Sequence, residues 1–201
     1  MKFLFRLFFL LLCLNKCSAQ IQFGIKGGFN LSRIPYPEAP SHLIQTNLTA
    51  FNAGVIASRP ISKHLSIQTE IVYSVQGSSE TNQGPPEDEE IIATFKYLNI
   101  PILLVYGHQS GFFAETGPQL GIFLNGRTDY GADLHVKADN VQPIDVAWVI
   151  GLGYRISGIN LGLDARYNIG FTAINKYAYP GESSWYNRVF QFDVFYVFKK
   201  L

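Results

Sequence analysis

The stretch NLGLDARYNIGFT, residues 160–172, alternates strictly between polar and apolar side chains. A period of two is typical of a β-strand with one apolar and one polar face, because successive side chains of a strand point to opposite sides. In a soluble protein the apolar face would form the core. In a membrane barrel the same face would contact lipid, and the polar residues, among them Asp164 and Arg166, would point into the barrel. Which arrangement applies depends on the rest of the chain.

The beginning of the chain has the pattern of a secretory signal peptide. Basic residues precede an apolar run that ends in small residues, which predicts cleavage after Ala19. The apolar run is too short for an anchor helix. Cys17 follows Lys16, where a lipoprotein signal would carry a small residue, so lipidation of this cysteine is not favoured. We therefore expect a signal peptide over residues 1–19 and one domain over residues 20–201.

Composition excludes several classes of protein. Of 16 basic residues, three lie in the signal peptide, and the remaining 13 face 15 acidic residues. A nucleic-acid-binding protein normally carries a basic excess, so we expect no nucleic-acid partner. Both cysteines, Cys13 and Cys17, also leave with the signal peptide. The mature chain would then have neither disulfides nor thiolate metal sites, and we expect no cofactor.

The mature chain reads as strands joined by connections that are alternately short and long. Alternation of this kind, with an even number of strands of about ten residues, is the layout of an outer-membrane barrel with short periplasmic turns. The sequence therefore predicts an all-β fold, an eight-stranded antiparallel up-and-down transmembrane β-barrel. The predicted strands cover residues 20–31, 48–58, 65–76, 93–106, 112–124, 145–156, 160–172 and 188–198.

The polar face of these strands would line the barrel interior. An eight-stranded barrel is just wide enough for side chains to fill it, and buried charges must pair because unpaired burial is costly. Glycines on the same face would leave room for long side chains. We therefore predict a structural charge network in the lumen, nearly balanced in sign, and favour it over a catalytic or ion-conducting constellation. Its members are Lys26, Glu70, Glu115, Arg155, Asp164, Arg166 and Asp193.

The other face is rich in Leu, Ile, Val and Phe, with aromatic residues towards the strand ends, as expected for contact with lipid. A soluble secreted barrel or sandwich, with this face turned inward, is the alternative. Pro101 and Pro118 fall inside two predicted strands. Proline cannot donate to a strand ladder, so we expect a β-bulge at each position.

Three loop features suggest other chemistry. An outer-leaflet lipid hydrolase would need a base at the barrel rim, but no catalytic motif flanks any histidine. The acidic stretch PEDEE, residues 86–90, could bind calcium or a basic partner, but it lacks the spacing of a calcium loop, and a solvated loop is the favoured interpretation. Aromatic residues in the last long loop would form either an adhesive surface or part of the outer girdle. The residues concerned are His42, His64, His108 and His135, and Tyr177, Tyr179, Trp185 and Tyr186.

Seven stretches of the mature chain, taken together and in order, resemble the Bacteroidota outer-membrane β-barrel domain family, the PorT-like group. They cover residues 24–32, 65–77, 97–106, 112–124, 149–156, 161–172 and 188–198, although the chain ends in Lys199, Lys200 and Leu201 rather than in an aromatic residue. The resemblance implies an eight-stranded barrel in the outer membrane. PorT itself is linked to type IX secretion, a role that a domain-level likeness does not transfer.

The function expected from the sequence is that of a non-catalytic integral outer-membrane barrel. It would contact outer-membrane lipid, and its long extracellular loops would contact other proteins of a secretion or envelope assembly. A small pore or a ligand-carrying barrel is the alternative, although a lumen lined by paired charges argues against open conduction.

Overall fold

The structure is a computed structural model that describes residues 21–35, 43–82, 89–131, 134–176 and 184–198. The predicted signal peptide lies outside these residues, as do the last three residues of the chain. Within the described ranges, no helix is long and apolar enough to cross a membrane. The strands are β1 (Gln22–Arg33), β2 (Leu43–Thr46), β3 (Leu48–Pro60), β4 (Leu65–Asn82), β5 (Glu89–Gly107), β6 (Phe112–Tyr130), β7 (Leu134–Lys137), β8 (Ile144–Arg155), β9 (Leu161–Gly170) and β10 (Arg188–Val197).

Eight long strands form a closed antiparallel ring. Neighbours follow the order β4-β3-β1-β10-β9-β8-β6-β5, and pairing between β5 and β4 closes the ring. The predicted eight-stranded up-and-down barrel is thereby confirmed. Two short strands were not predicted: β2 pairs with the end of β4, and β7 pairs with the end of β6. Both extend the wall at the end of the barrel that carries the long connections, which we call the long-loop end; the opposite end is the short-turn end.

The apolar residues of the long strands lie on the outer surface. In β9, Asp164 and Arg166 are 5% and 4% exposed, whereas Leu163, the residue before Asp164, is 50% exposed. The same alternation holds in β8, where Leu152 is 67% exposed and Val149 is fully buried. A soluble barrel would show the reverse pattern. The outer surface is therefore suited to lipid and the interior to polar side chains.

One residue expected on the lipid face, Val75, is instead buried. The pairing of β4 with β3 ends at Ser74, which lies opposite Asn52. Beyond this point side chains of β1 bind β4 instead. Asn30 Nδ2 donates to Val75 O at 2.8 Å, and the N–H of Gly77 donates to Ser32 Oγ at 2.9 Å. Gly77 has φ +152°, and a Cβ there would lie 1.8 Å from the carbonyl oxygen of the opposite strand, so only glycine fits.

The bulges predicted at the two prolines are absent from the described ladders. Between β5 and β6, Pro101 pairs with Gln119 and Leu104 with Thr116, so the register is unbroken across both prolines. Pro118 also pairs in register with β8. The ladders tolerate the prolines because a missing donor removes a hydrogen bond without adding a residue to the strand. The irregularity of this strand pair lies at Lys96, nearer the long-loop end.

Candidate functional site in the barrel lumen

A buried group of charged side chains crosses the barrel interior. Arg166 of β9 reaches Glu70 of β4, with Nη1 2.8 Å from Oε2 and Nη2 2.7 Å from Oε1. Its Nη2 also lies 3.2 Å from Glu115 Oε2, and its Nε contacts Glu115 Oε1 and lies 3.0 Å from Asp164 Oδ1. One guanidinium therefore contacts three carboxylates from three strands. The planar fork of arginine suits this arrangement because it donates in several directions at once.

The second cation of the group is Lys26 of β1. Its Nζ lies 2.6 Å from Asp193 Oδ2, 3.4 Å from Glu70 Oε2 and 3.5 Å from Asp164 Oδ2. Glu70 and Asp164 are thus shared between the two cations. We call these six residues the lumen charge cluster: Lys26, Glu70, Glu115, Asp164, Arg166 and Asp193.

Glutamine side chains and glycines complete the surroundings of the lumen charge cluster. Gln68 Nε2 donates to Glu70 Oε1 at 2.7 Å, and Gln191 Nε2 donates to Asp193 Oδ2 at 2.6 Å. A Cβ on Gly151 would lie 2.8 Å from a Glu115 oxygen and 3.0 Å from the Arg166 stem. Glycine at this lumen-facing position therefore makes room for the ion pair beside it, in the way expected from the sequence.

Arg155, predicted to belong to the network, lies apart from it. It is the last residue of β8, is exposed, and its guanidinium carbon sits 5.9 Å from the ring centre of Phe195. The reason is its position along the strand: alternation points Arg155 to the lumen side, but at the strand end this means the barrel mouth. The lumen charge cluster therefore holds two cations and four carboxylates rather than three and four.

An apolar layer, not expected from the sequence, lies between the lumen charge cluster and the short-turn end. Phe113 and Phe195 pack edge to face at 5.8 Å, and both contact further buried aliphatic side chains. A Cβ on Gly153 would lie 2.1 Å from Phe113 Cζ, and one on Gly162 would lie 2.2 Å from Phe195 Cζ. We call the group formed by Phe113, Phe195, Ile56 and Val197 the short-turn layer. Leu103, Val105 and Val149 form a second apolar group that packs on Phe113 beside the lumen charge cluster.

Another apolar layer covers the long-loop end of the lumen. Its buried members come from β5 and from the segments after β1 and β9, with Phe123 and Trp185 packed against them. Tyr97 meets Phe123 edge to face at 5.6 Å. Polar contacts fill the space below, for example Asn187 Nδ2 to Asp145 Oδ2 at 2.7 Å. We call the buried group the long-loop layer: Ile34, Phe95, Tyr97 and Ile174.

A cavity of about 250 Å³ opens at the short-turn end. Lys63, His64 and Arg155 lie around it, and Asp164 and Arg166 also line it. The cavity thus reaches the lumen charge cluster from one side.

Each of the three described histidines has a polar contact through its Nδ1 atom. His64 Nδ1 lies 3.2 Å from Gly107 O, His108 Nδ1 lies 2.8 Å from Ser110 Oγ, and His135 Nδ1 lies 2.8 Å from Asp129 Oδ1. His42 lies outside the described residues. Within the described ranges, no group of three or more His, Asp or Glu side chains is arranged to hold a metal ion.

Only some of the loop residues singled out in the sequence lie within the described part of the chain. Residues 86–88 of the acidic stretch, and Tyr177 and Tyr179, lie outside the described residues. Trp185 packs on the long-loop layer, and Tyr186 lies under Arg188 with 5.8 Å between its ring centre and the guanidinium carbon. These two aromatic side chains therefore pack against the rim of the barrel.

Comparison with known proteins agrees with this architecture. The family model described as "Outer membrane protein beta-barrel domain" matches residues 15–176, well over half of the chain. The chain belongs to this family. The family and the barrel fold together indicate the outer membrane of a Gram-negative bacterium. No curated protein matches the sequence.

Two solved structures have a similar fold. Neisserial surface protein A, NspA, shares 14% sequence identity at a TM-score of 0.50, over 88% of this chain and 97% of that one. Ail, the attachment invasion locus protein of Yersinia pestis, was solved with the heparin analogue sucrose octasulfate. It shares 12% identity at a TM-score of 0.50, over 89% of this chain and 99% of that one. At such identities the likeness concerns the fold alone.

Proposed function

We propose that this outer-membrane barrel has a closed lumen and acts through its long-loop end as a non-catalytic interaction protein of the cell envelope. The observation that carries the proposal is the lumen charge cluster, which joins side chains of five strands across the barrel interior between two apolar layers. The lumen charge cluster occupies the middle, the short-turn layer lies below it and the long-loop layer lies above it. Each charged member contacts an opposite charge, so the cluster is suited to filling space rather than to conducting ions.

Electrical recording tests the closed lumen. The refolded mature chain is inserted into planar bilayers, with a general porin reconstituted in the same way as the positive control. We expect no conductance steps from the wild type. The variant Phe113→Ala should also stay silent, because the lumen charge cluster still crosses the barrel above it. Discrete steps from correctly folded wild-type protein would contradict a closed lumen and favour the small pore.

The β6–β7 hairpin supports a role for the long-loop end. All four residues of β7 are exposed, including Leu134 at 57% and Val136 at 45%. Among the described strands β7 pairs with β6 alone. Charged side chains next to it, Arg127 and Asp129, are joined at 3.0 Å and favour water over lipid around the hairpin. An exposed edge strand with apolar side chains is a common site of protein association.

Cross-linking in cells tests this second part. A photoreactive amino acid at Val136 should give adducts with protein, whereas the same group at Ile150, on the lipid-facing surface, should give lipid adducts. Equal protein labelling at both positions, or none at Val136, would argue against an interaction role for the hairpin.

We further propose, on the seven resembling stretches, that the protein belongs to the PorT-like group of Bacteroidota and that its partner is a component of a secretion or envelope assembly. Deletion of the gene in its host, followed by assay of secreted proteins, tests the secretion role. Unchanged secretion would leave an envelope partner outside that pathway.

A further inference from the structure

Two arginines face each other on the outer surface at the long-loop end. Arg33 of β1 and Arg188 of β10 are direct partners in the strand register. Their chain neighbours Ser32 and Val189 are buried, 1% and 2% exposed, and face the lumen, so the arginine side chains belong to the outer surface. Like charges directly opposite each other destabilise an antiparallel pair. The barrel rim therefore carries two arginines whose backbones are direct neighbours at one point of its circumference.

Within the described part of the chain, neither arginine forms an ion pair. Arg188 Nη1 donates to the backbone carbonyls of Gly170 at 2.7 Å and Asn187 at 3.0 Å. Arg33 Nη2 reaches Gln45 Oε1 at 3.5 Å. All three acceptors are neutral. The carbonyls orient the Arg188 guanidinium, which also lies over the Tyr186 ring and interacts electrostatically with the Asp145 carboxylate. The donors of both arginines that are not used in these contacts remain available to an anion.

Directly below the arginine pair lies a column of apolar side chains. Leu31 pairs with Phe190 and Phe29 with Phe192 in the same register. The rings of Phe29 and Phe192 stack at 5.2 Å, and Phe190 packs on Tyr167 at 4.4 Å. Phe29 and Phe190 are about half exposed, at 46% and 52%. A pair of guanidiniums above an exposed aromatic surface has the polarity of a lipid, with the headgroup above and the acyl chain below.

We propose that Arg33 and Arg188 together bind the phosphate group of an outer-leaflet lipid, whose acyl chain lies on Phe29, Phe190 and Phe192. Guanidinium groups bind phosphate in bidentate fashion, and a phosphate placed between the two arginines removes the repulsion between them. The long-loop end faces outward in barrels of this kind, so the lipid belongs to the outer leaflet. This site goes beyond the closed-barrel function and is independent of it.

Native mass spectrometry of the detergent-solubilised mature barrel tests the site. The probes are lipid A, the same lipid after removal of its phosphates, and inorganic phosphate as competitor. We expect Arg33→Gln and Arg188→Gln each to weaken retention of lipid A about tenfold, and the double variant about a hundredfold, because each removes charge-assisted hydrogen bonds. The matched control is Arg59→Gln, an exposed arginine at the short-turn end of β3, which should leave retention unchanged.

Each remaining outcome decides the question. Equal retention of dephosphorylated lipid A, or full retention by the double variant, would overturn the proposal. Displacement by millimolar inorganic phosphate with no preference for lipid would assign the pair to a free anion and overturn the lipid site. If the glutamine variants fail the heat-dependent gel shift of a folded barrel, Arg33→Lys and Arg188→Lys keep the charge and lose the fork. They should then weaken retention only partly.

Discussion

Arg166 and Glu70, 96 residues apart in the chain, form a two-bond ion pair across the barrel interior, with nitrogen–oxygen distances of 2.7 and 2.8 Å. Both side chains are almost fully buried. Because both charges are buried, each depends on the other and on the remaining members of the lumen charge cluster.

The first prediction concerns the stability of this pair. Replacing Arg166→Met leaves Glu70 and Glu115 without their arginine, and removal of one partner of a buried pair costs about 3–5 kcal/mol. We expect a lower midpoint of urea unfolding, followed by tryptophan fluorescence in lipid vesicles. The matched control, Arg155→Met, removes an arginine that lies at the barrel mouth and should change the free energy of unfolding by less than about 1 kcal/mol. Equal losses from both would mean that the cluster does not stabilise the barrel.

The second prediction concerns packing in the short-turn layer. The three atoms nearest to a Cβ on Gly162 all belong to the ring of Phe195. Gly162→Ala should therefore cost about 1–3 kcal/mol through overpacking, and a smaller side chain in Phe195→Leu should recover about 1 kcal/mol of it in the double variant. Gly107→Ala is the control, since a Cβ there meets nothing within 4 Å. Strict additivity of the two changes would show that glycine and ring are not coupled.

The third prediction concerns which face meets lipid. Trp148 is 40% exposed on the outer surface, where its Nε1 donates to Thr116 Oγ1 at 2.8 Å, whereas Trp185 packs on the long-loop layer. In vesicles of lipids with brominated acyl chains, the variant Trp185→Phe, which retains Trp148, should be quenched strongly. The variant Trp148→Phe should be quenched weakly. Quenching of Trp148 by aqueous iodide instead would show that the apolar face does not contact lipid.

The fourth prediction concerns processing. The mature protein isolated from membranes should begin at Gln20 and carry no lipid, because the basic, apolar and small-residue segments end at Ala19. Intact-mass measurement with N-terminal sequencing distinguishes this from a diacylated chain that begins at Cys17. The variant Ala19→Arg, which blocks the cleavage site, should accumulate as uncleaved precursor.

Much of the architecture follows from alternation, because a closed barrel has only two faces and a period of two assigns each residue to one of them. On that basis Asp164 and Arg166 could be placed in the lumen and Leu163 outside. The strand ends were harder to predict from the sequence. β6 continues to Tyr130 and not only to residue 124. Alternation does not mark this extension, because the part of a strand beyond the lipid needs no apolar face. The short strands β2 and β7 were not predicted for the same reason.

The parts of the lumen that sequence reasoning missed share a physical cause. Phe113 and Phe195 stand at lumen-facing positions, but a buried phenylalanine and a lipid-facing one look alike in sequence. The available signal was the pair of glycines, Gly153 and Gly162, whose missing side chains accommodate the two rings. Arg155 was misplaced because alternation gives the direction of a side chain and not its depth along the barrel.

The shortest contact of Lys26 has a consequence for how the barrel is made. Lys26 lies on the first strand, and its partner at 2.6 Å, Asp193, lies on the last one, which pairs with the first to close the ring. Until β10 has paired with β1, Lys26 lacks this carboxylate. Ring closure and formation of the shortest ion pair of Lys26 are therefore the same event. The strand that completes the ring is therefore also the strand that brings Lys26 its nearest carboxylate.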